Sequence, residues 1–151
     1  MSAFLKKGTP VIYKSTIDVK GRMNIPAKLR EELGESFHIT ETIDEYPILS
    51  VYSEDEWETV TVKIKAMPQI KARHLSRKII GSEQPVKPDP QGRVLIAPSL
   101  REYAKLDGDV VLVDRKTKTE IWSKAVYDSY KENLDANMRE ELLQTAMDLE
   151  F

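Results

Sequence analysis

The sequence contains no cysteine and only two histidines, His38 and His74. A chain without thiols has no disulfide, no thiolate metal site and no cysteine nucleophile, and two histidines this far apart do not suggest a metal cluster. No hydrophobic run approaches the roughly 18 residues of a membrane span, and "MSAFLKKGTP" lacks the apolar core of a signal peptide. We therefore predict a globular cytoplasmic protein without a cofactor or metal.

Acidic residues are scarce at the start of the chain and basic residues are scarce at its end, although the net charge is only −2. Residues 1–30 contain seven basic residues and one acidic residue, whereas residues 128–151 contain seven acidic and two basic residues. A basic end suits a polyanionic partner, but a charged run is often only a solvated surface. Residues 63–78 add six basic residues and no acidic one.

A repeat is the most informative feature of the sequence. "DVKGRMNIPAKLREEL" begins at Asp18 and "DPQGRVLIAPSLREYA" begins at Asp89, and seven of the first fourteen positions are identical at this offset of 71. Unrelated segments would share about one, so the chain contains an internal repeat. The helix starts "YSEDEW" and "WSKAVY" recur at nearly the same offset, so the repeat covers a whole structural unit.

Each unit is predicted to contain two short hairpins around one short helix. A unit of roughly 45 residues is too small to bury its own core, so the two copies should interlock or stack. We expect a first module at 12–56, connecting helices at 57–82, a second module at 83–126 and C-terminal helices at 127–151.

Helix-capping signals place several helix starts. Ser53 precedes Glu56 by three residues, as in a capping box, and Tyr52 can pack on Trp57. Asn137 is predicted to begin a separate final helix whose apolar residues face inward, namely Met138, Leu142 and Leu149. His38 has no evident partner in the sequence.

The repeated Asp–x–x–Gly–Arg motif lies where a hairpin turns. Gly21 can adopt a positive φ, and Asp18 can accept hydrogen bonds from backbone N–H groups. An ion pair between Asp18 and Arg22 that only holds the turn explains the motif in structural terms. In the functional alternative, the loop projects basic side chains toward phosphates and base edges, namely Arg22, Lys14, Lys20 and Lys28.

Both loops, the Leu–Arg–Glu helices and "DVVLV…EIWS" together resemble the MraZ family of bacterial transcriptional regulators over nearly the whole chain. The resemblance implies an α+β fold: two tandem AbrB-like swapped-hairpin modules that form an intrachain pseudo-dimeric double-split β-barrel with flanking helices. It also implies a homo-oligomer, expected as a ring, that binds double-stranded DNA with short direct repeats. The expected target is the operon for cell division and cell wall synthesis, including the protein's own gene, in the nucleoid.

The resemblance also assigns site residues. The family's DNA-contacting arginine falls on Arg22 in the first loop and on Arg93 in the second. Basic residues that flank the loop in AbrB-like modules correspond to Lys14 and Lys20, and on the helix to Arg30. An intramolecular ion pair explains Arg30 equally well. In the second loop, prolines on both sides of Asp89 leave its DNA contacts open.

Two other classes of function are compatible with parts of the sequence. An enzyme acting on a phosphorylated substrate could use Asp18, Asp89 and the arginines, but the sequence offers no nucleophile–base pair, glycine-rich phosphate loop or metal cluster. An antitoxin-like or protein-interaction module with secondary DNA binding remains the alternative to a sequence-specific regulator.

Overall fold

The computed structural model describes residues 11–150, so Lys6, Lys7 and Phe151 lie outside the described part of the chain. Within this part, eight antiparallel strands form one sheet in the order β5-β3-β4-β8-β7-β1-β2-β6. The strands are β1 (Val11–Ile17), β2 (Arg22–Asn24), β3 (Phe37–Glu41), β4 (Leu49–Ser53), β5 (Gln84–Val86), β6 (Arg93–Leu95), β7 (Gly108–Asp114) and β8 (Thr119–Ser123). The helices are α1 (Ala27–Leu33), α2 (Glu54–Lys65), α3 (Gln69–Leu75), α4 (Pro98–Tyr103) and α5 (Lys124–Asp148), and a π-helical turn (Ser76–Ile80) follows α3.

The strands of the two units are interleaved. β1 pairs with β7 of the second unit along its whole length, from Val11 opposite Asp114 to Ile17 opposite Gly108. In the reciprocal arrangement β5 pairs with β3, and the short strands β2 and β6 pair with each other. The prediction of interlocked hairpins is therefore confirmed, as is the α+β barrel with flanking helices.

One hydrophobic core serves both units. The side chains that alternate inward on the strands, with those of α1 and α4, form a single cluster. Equivalent residues of the two units are all at most 2% exposed in this cluster: Met23 and Val94, Ile25 and Ile96, Leu29 and Leu100. Because each unit contributes half of the same core, neither half buries enough apolar surface to fold by itself.

A side chain closes the barrel where backbone pairing stops. β5 and β6 are the two edge strands of the sheet. The Gln84 amide nitrogen donates to the carbonyl oxygen of Leu95 (2.8 Å), and its amide oxygen accepts from the backbone N–H of Ala97 (2.9 Å). The two edges are thus joined by a glutamine, which replaces part of a strand ladder.

The two predicted helix caps at the repeat ends are present. Ser53 Oγ accepts from the backbone N–H of Glu56 (3.3 Å), and the rings of Tyr52 and Trp57 lie 5.9 Å apart. Ser123 Oγ accepts from the backbone N–H of Val126 (3.1 Å). The connection between the units is helical, as predicted, and Pro68 separates α2 from α3.

The predicted helix start at Asn137 is wrong. α5 is one continuous helix of 25 residues, because it already begins at the Ser123 cap and contains neither glycine nor proline to interrupt it. An asparagine inside a helix costs only about 0.7 kcal/mol relative to alanine. Met138, Leu142 and Leu149 do not face inward but are 44%, 61% and 62% exposed.

His38 does have partners, contrary to the expectation from the sequence. Its Nδ1 lies 2.5 Å from a carboxylate oxygen of Glu83, its Nε2 lies 3.0 Å from one of Glu54, and its ring stacks on Trp57 at 5.2 Å. Burial lowers the pKa of His38, but hydrogen bonds to the two carboxylates outweigh burial and leave the pKa raised. Protonated His38 therefore connects β3 to the start of α2 and to the segment before β5.

This arrangement predicts a pH-dependent contribution to stability. Because folding raises the pKa of His38 above its unfolded value of about 6.5, the contribution is complete below that pH and is lost as the pH rises through the folded pKa. We expect His38→Gln to lower the free energy of unfolding by about 1 kcal/mol or more at pH near 5.5, and by less at pH near 8.5. Urea unfolding at several pH values measures this, with exposed His74→Gln as the control. The same pH dependence in both variants would contradict the assignment.

Candidate nucleic-acid interface

The two Asp–x–x–Gly–Arg loops have the same geometry. Asp18 Oδ1 accepts from the backbone N–H groups of Lys20 and Arg22, both at 2.9 Å, and Oδ2 accepts from Arg22 Nε at 2.8 Å. In the second loop Asp89 makes the same three contacts, with Gln91 and Arg93, all at 2.9 Å. Each carboxylate therefore holds its loop in one conformation and fixes one side of the following guanidinium.

The hydrogen bonds also keep these carboxylates charged. The backbone N–H of Arg22 contributes most to lowering the pKa of Asp18, and the guanidinium of Arg22 and the backbone N–H of Lys20 add to it against the effect of desolvation. The pKa of Asp89 is lowered in the same way by Arg93 and Gln91. Both loops are therefore held by an ionised carboxylate at neutral pH.

The outer nitrogens of both arginines are available for binding. The side chains of Arg22 and Arg93 are 39% and 38% exposed, and each uses Nε for its aspartate. Within residues 11–150, neither Nη group donates a hydrogen bond to another residue. A guanidinium held at Nε presents its remaining donors in a fixed orientation, which suits phosphate oxygens or a guanine edge.

Each loop is supported by the helix arginine of the other unit. Arg30 Nε donates to the carbonyl oxygen of Ile25 (2.9 Å), and its guanidinium lies against Gly92, where an added Cβ would be 2.6 Å from Cζ. Arg101 makes the equivalent contact with Gly21, also with 2.6 Å between Cζ and an added Cβ. The repeated glycine therefore provides both a positive φ and room for an arginine from the other unit.

These contacts change the interpretation of Arg30. Within the described residues it forms no ion pair, so the alternative weighed from the sequence does not describe its contacts. It lies half-buried beneath the second loop, and its contact with DNA stays a prediction. The sequence signal for this support was the joint repetition of the glycine and the arginine, but only the interleaved fold shows that they come from different units.

The other predicted residues of the first loop are exposed. Lys20 lies at the turn, and Lys14 lies on the outward side of β1, where inward positions are taken by Tyr13 and Ile17. Sequence reasoning missed Val19, whose side chain at the tip of the loop is 97% exposed. The first loop thus exposes a lysine, the arginine and an apolar tip, and Lys14 is a further exposed cation on the strand that leads into the loop.

The described part of the chain contains neither a candidate metal site nor a helix that could span a membrane. Within residues 11–150, no group of three or more His, Cys, Asp or Glu residues is arranged to hold a metal ion. No helix in this range is both long and apolar enough to cross a bilayer.

The fold and the loops together define a protein of two tandem swapped-hairpin modules. Each module carries one loop in which an arginine is ion-paired with an aspartate. A model of the family described as "MraZ protein, putative antitoxin-like" matches residues 12–78 and again residues 79–149. The chain belongs to the MraZ family.

Relatives in this family are named transcriptional regulator MraZ. The protein of that name from Thermoanaerobacter sp. (strain X514) is 44% identical over 130 residues, which cover 85% of this chain and 90% of the relative. The one from Desulforamulus reducens is 39% identical over 139 residues, which cover 91% of this chain and 96% of the relative.

The contact between Gly21 and Arg101 can be tested by adding a Cβ at Gly21, with Gly34 as a second glycine of positive φ. Gly21 and Gly34 have φ values of 89° and 86°, but an added Cβ meets Arg101 only at Gly21 and meets nothing within 4 Å at Gly34. We expect Gly34→Ala to cost about 1–3 kcal/mol from backbone strain alone, because a φ of 86° with a ψ of −168° suits glycine only. Gly21→Ala should cost at least about 1 kcal/mol more in the wild-type protein than in an Arg101→Ala background, because in the wild type Arg101 must move away from its hydrogen bond to Ile96. Equilibrium urea unfolding measures these costs, and an equal cost of Gly21→Ala in the two backgrounds would show that Arg101 does not support the loop.

Proposed function

We propose that this transcriptional regulator binds double-stranded DNA sequence-specifically through the loop that carries Arg22. Membership of the MraZ family makes the chain a transcriptional regulator, which is not a class of enzyme. The observation that carries the proposal is the arginine whose Nε is fixed on Asp18 while its Nη groups donate to no residue among 11–150.

The first loop offers different chemistry to backbone and bases. The free edge of Arg22 matches a phosphate or the O6 and N7 acceptors of guanine, and Lys20 and Lys14 can neutralise neighbouring phosphates. Val19 presents an apolar surface suited to the methyl group of thymine. Arg30 reaches the second loop, where it adds positive charge below Gly92.

In this proposal the second loop contributes less to DNA binding than the first. Arg93 has the same geometry as Arg22, but the positions that correspond to Val19 and Lys20 are Pro90 and Gln91. With fewer cations, the loop releases fewer counterions when it meets the phosphate backbone.

Assembly is part of the proposal. One subunit presents a single strongly cationic loop, so few phosphate contacts hold it on DNA. A homo-oligomeric ring would present this loop at regular intervals to short direct repeats. The family resemblance supports the division and cell wall operon, including the protein's own gene, as the target on the nucleoid in the cytoplasm.

Arg22→Ala should weaken specific DNA binding by about 10-fold to 100-fold, in line with about 1–3 kcal/mol for a guanidinium that reads a base edge. Arg93→Ala should have a smaller effect, and both proteins should keep their fold because the side chains are exposed. Gel shifts on DNA from the organism's own division operon measure affinity, and thermal melts measure stability.

Two outcomes would contradict this assignment. Similar losses of thermal stability in both variants with unchanged DNA affinity would show that the arginines only hold the turns. Absence of any shift with the wild-type protein would favour the antitoxin-like or protein-interaction alternative.

The spacing of the target repeats gives a second prediction. Loops of neighbouring subunits can enter one side of the duplex only if repeats lie about one helical turn, roughly 10 base pairs, apart. Affinity should rise from one to two to three repeats through effective concentration, and moving one repeat by half a turn should remove most of that gain. Titrations at several salt concentrations should also show a slope that steepens with repeat number. Equal affinity for all these DNAs would contradict linked binding.

A further inference from the structure

The ladder between β2 and β6 has an outward face that carries two cross-strand pairs. The central residues of the two strands point into the core and are at most 1% exposed. Side chains alternate along a strand, and directly opposite residues share a face, so the residues on either side of the central ones point outward. Arg22 lies opposite Leu95, and Asn24 lies opposite Arg93. We call these four residues the outer ribbon face.

Asn24 brings an unused amide to the outer ribbon face. Its side chain is exposed and makes no hydrogen bond with another residue among 11–150, because the Ser15 hydroxyl donates to the backbone carbonyl oxygen of Asn24 instead (2.7 Å). A free carboxamide presents a donor and an acceptor side by side. This arrangement matches N7 and the N6 amino group of adenine in the major groove.

Leu95 brings an exposed apolar side chain to the same face. It is 58% exposed and lies directly opposite Arg22 in the ladder. Exposed leucines are common on protein surfaces, but the equivalent residue of the first unit is Asn24, so the fold does not require an apolar residue at this position. The methyl group of thymine is the apolar group that a base edge offers in the major groove.

The ladder also has the dimensions of an element that fits the major groove. Its two strands lie about 4.8 Å apart, and a groove about 12 Å wide admits a two-stranded ribbon. Arg22 and Arg93 occupy two diagonal corners of the face, each with Nε fixed on its aspartate, and Asn24 and Leu95 occupy the other two. The two pairs lie two residues apart along the strands, which is about 6.7 Å or roughly two base-pair steps.

We propose that the outer ribbon face enters the major groove, where Asn24 reads an adenine and Leu95 reads the methyl group of a thymine. The inference deepens the proposed function and rests on it, because it adds two base-reading residues between the arginine loops. Since Asn24 and Leu95 occupy equivalent positions of the repeat, the two halves of one subunit read different bases. The sequence that one subunit reads is therefore not a palindrome.

Selection of binding sites from random DNA duplexes tests both residues. Asn24→Ala should lose the preference of the wild type for one adenine, a loss of about 5-fold to 100-fold in affinity for that base. Leu95→Ala should lose about fourfold in affinity for one thymine. Preferences at all other positions should stay as in the wild type. An unchanged motif in both variants, or loss of a guanine preference in Leu95→Ala, would overturn the proposal.

A single methyl group provides a sharper test of Leu95. Uracil in place of the selected thymine removes only the methyl group, so the affinity of the wild type should fall about fourfold. Leu95→Ala should bind the two duplexes equally, because the contact is already absent. Ile43→Ala is the matched control, since Ile43 is 53% exposed and lies outside the ribbon, and it should respond to uracil as the wild type does. The same response in all three proteins would overturn the assignment of Leu95.

The equivalent probe for Asn24 is 7-deazaadenine, which lacks the N7 acceptor of adenine. Placed at the selected adenine, it should weaken binding by the wild type about fivefold or more. Asn24→Ala should bind the adenine and 7-deazaadenine duplexes equally, and Ile43→Ala should behave as the wild type. An equal loss in Asn24→Ala and in the wild type would overturn the assignment of Asn24.

These measurements separate the inference from the proposed function. A wild type that selects no motif from random duplexes would overturn the proposed function together with the inference. A wild type that selects a motif which neither variant alters would overturn only the inference. Thermal melts and light scattering should give each variant the stability and mass of the wild type, because both side chains are exposed. A changed mass in Leu95→Ala would place Leu95 in a contact between subunits and overturn its assignment.

Discussion

The pairing of β2 with β6 is the interaction on which the rest of the subunit depends. Met23 and Val94 occupy equivalent positions of the repeat and are also direct partners in this ladder. The pseudo-twofold axis therefore passes through the pair, and every other contact between the units is arranged around it. Both residues are at most 1% exposed, so the axis coincides with the centre of the core.

The arginine loops follow directly from this arrangement. β2 and β6 run antiparallel, so each loop ends next to the point where the opposite strand ends. The backbone N–H of Ile96 donates to Gly21, and that of Ile25 donates to Gly92, both at 2.9 Å. A helix arginine from the opposite unit then fills the space beside each glycine. The shape of either loop is thus a property of the paired units and of no single hairpin.

How much of the structure the sequence predicts depends on whether the interacting residues are close together in the chain. The Asp18 turn, the Ser53 cap and the inward alternation of the strands involve residues close together in the chain, and they were predictable. Support of Gly21 by Arg101, closure of the barrel by Gln84 and the carboxylates around His38 join distant residues, so no local pattern indicates them. The predicted helix start at Asn137 was wrong for a different reason. A capping residue gives the same local signal whether or not a helix has already begun.

The seam between β5 and β6 has a consequence for how the barrel can open. Everywhere else in the sheet, adjacent strands are joined by backbone ladders, whose hydrogen bonds break together. At the seam, two hydrogen bonds from one glutamine side chain link the edges. A side-chain amide can rotate away without breaking any ladder, so thermal breathing of the barrel should be concentrated at this line, next to Ile96, whose backbone N–H donates to Gly21 of the first loop. The cationic loop therefore lies at the border of the part of the barrel that opens most easily, in a molecule whose halves otherwise share one plan.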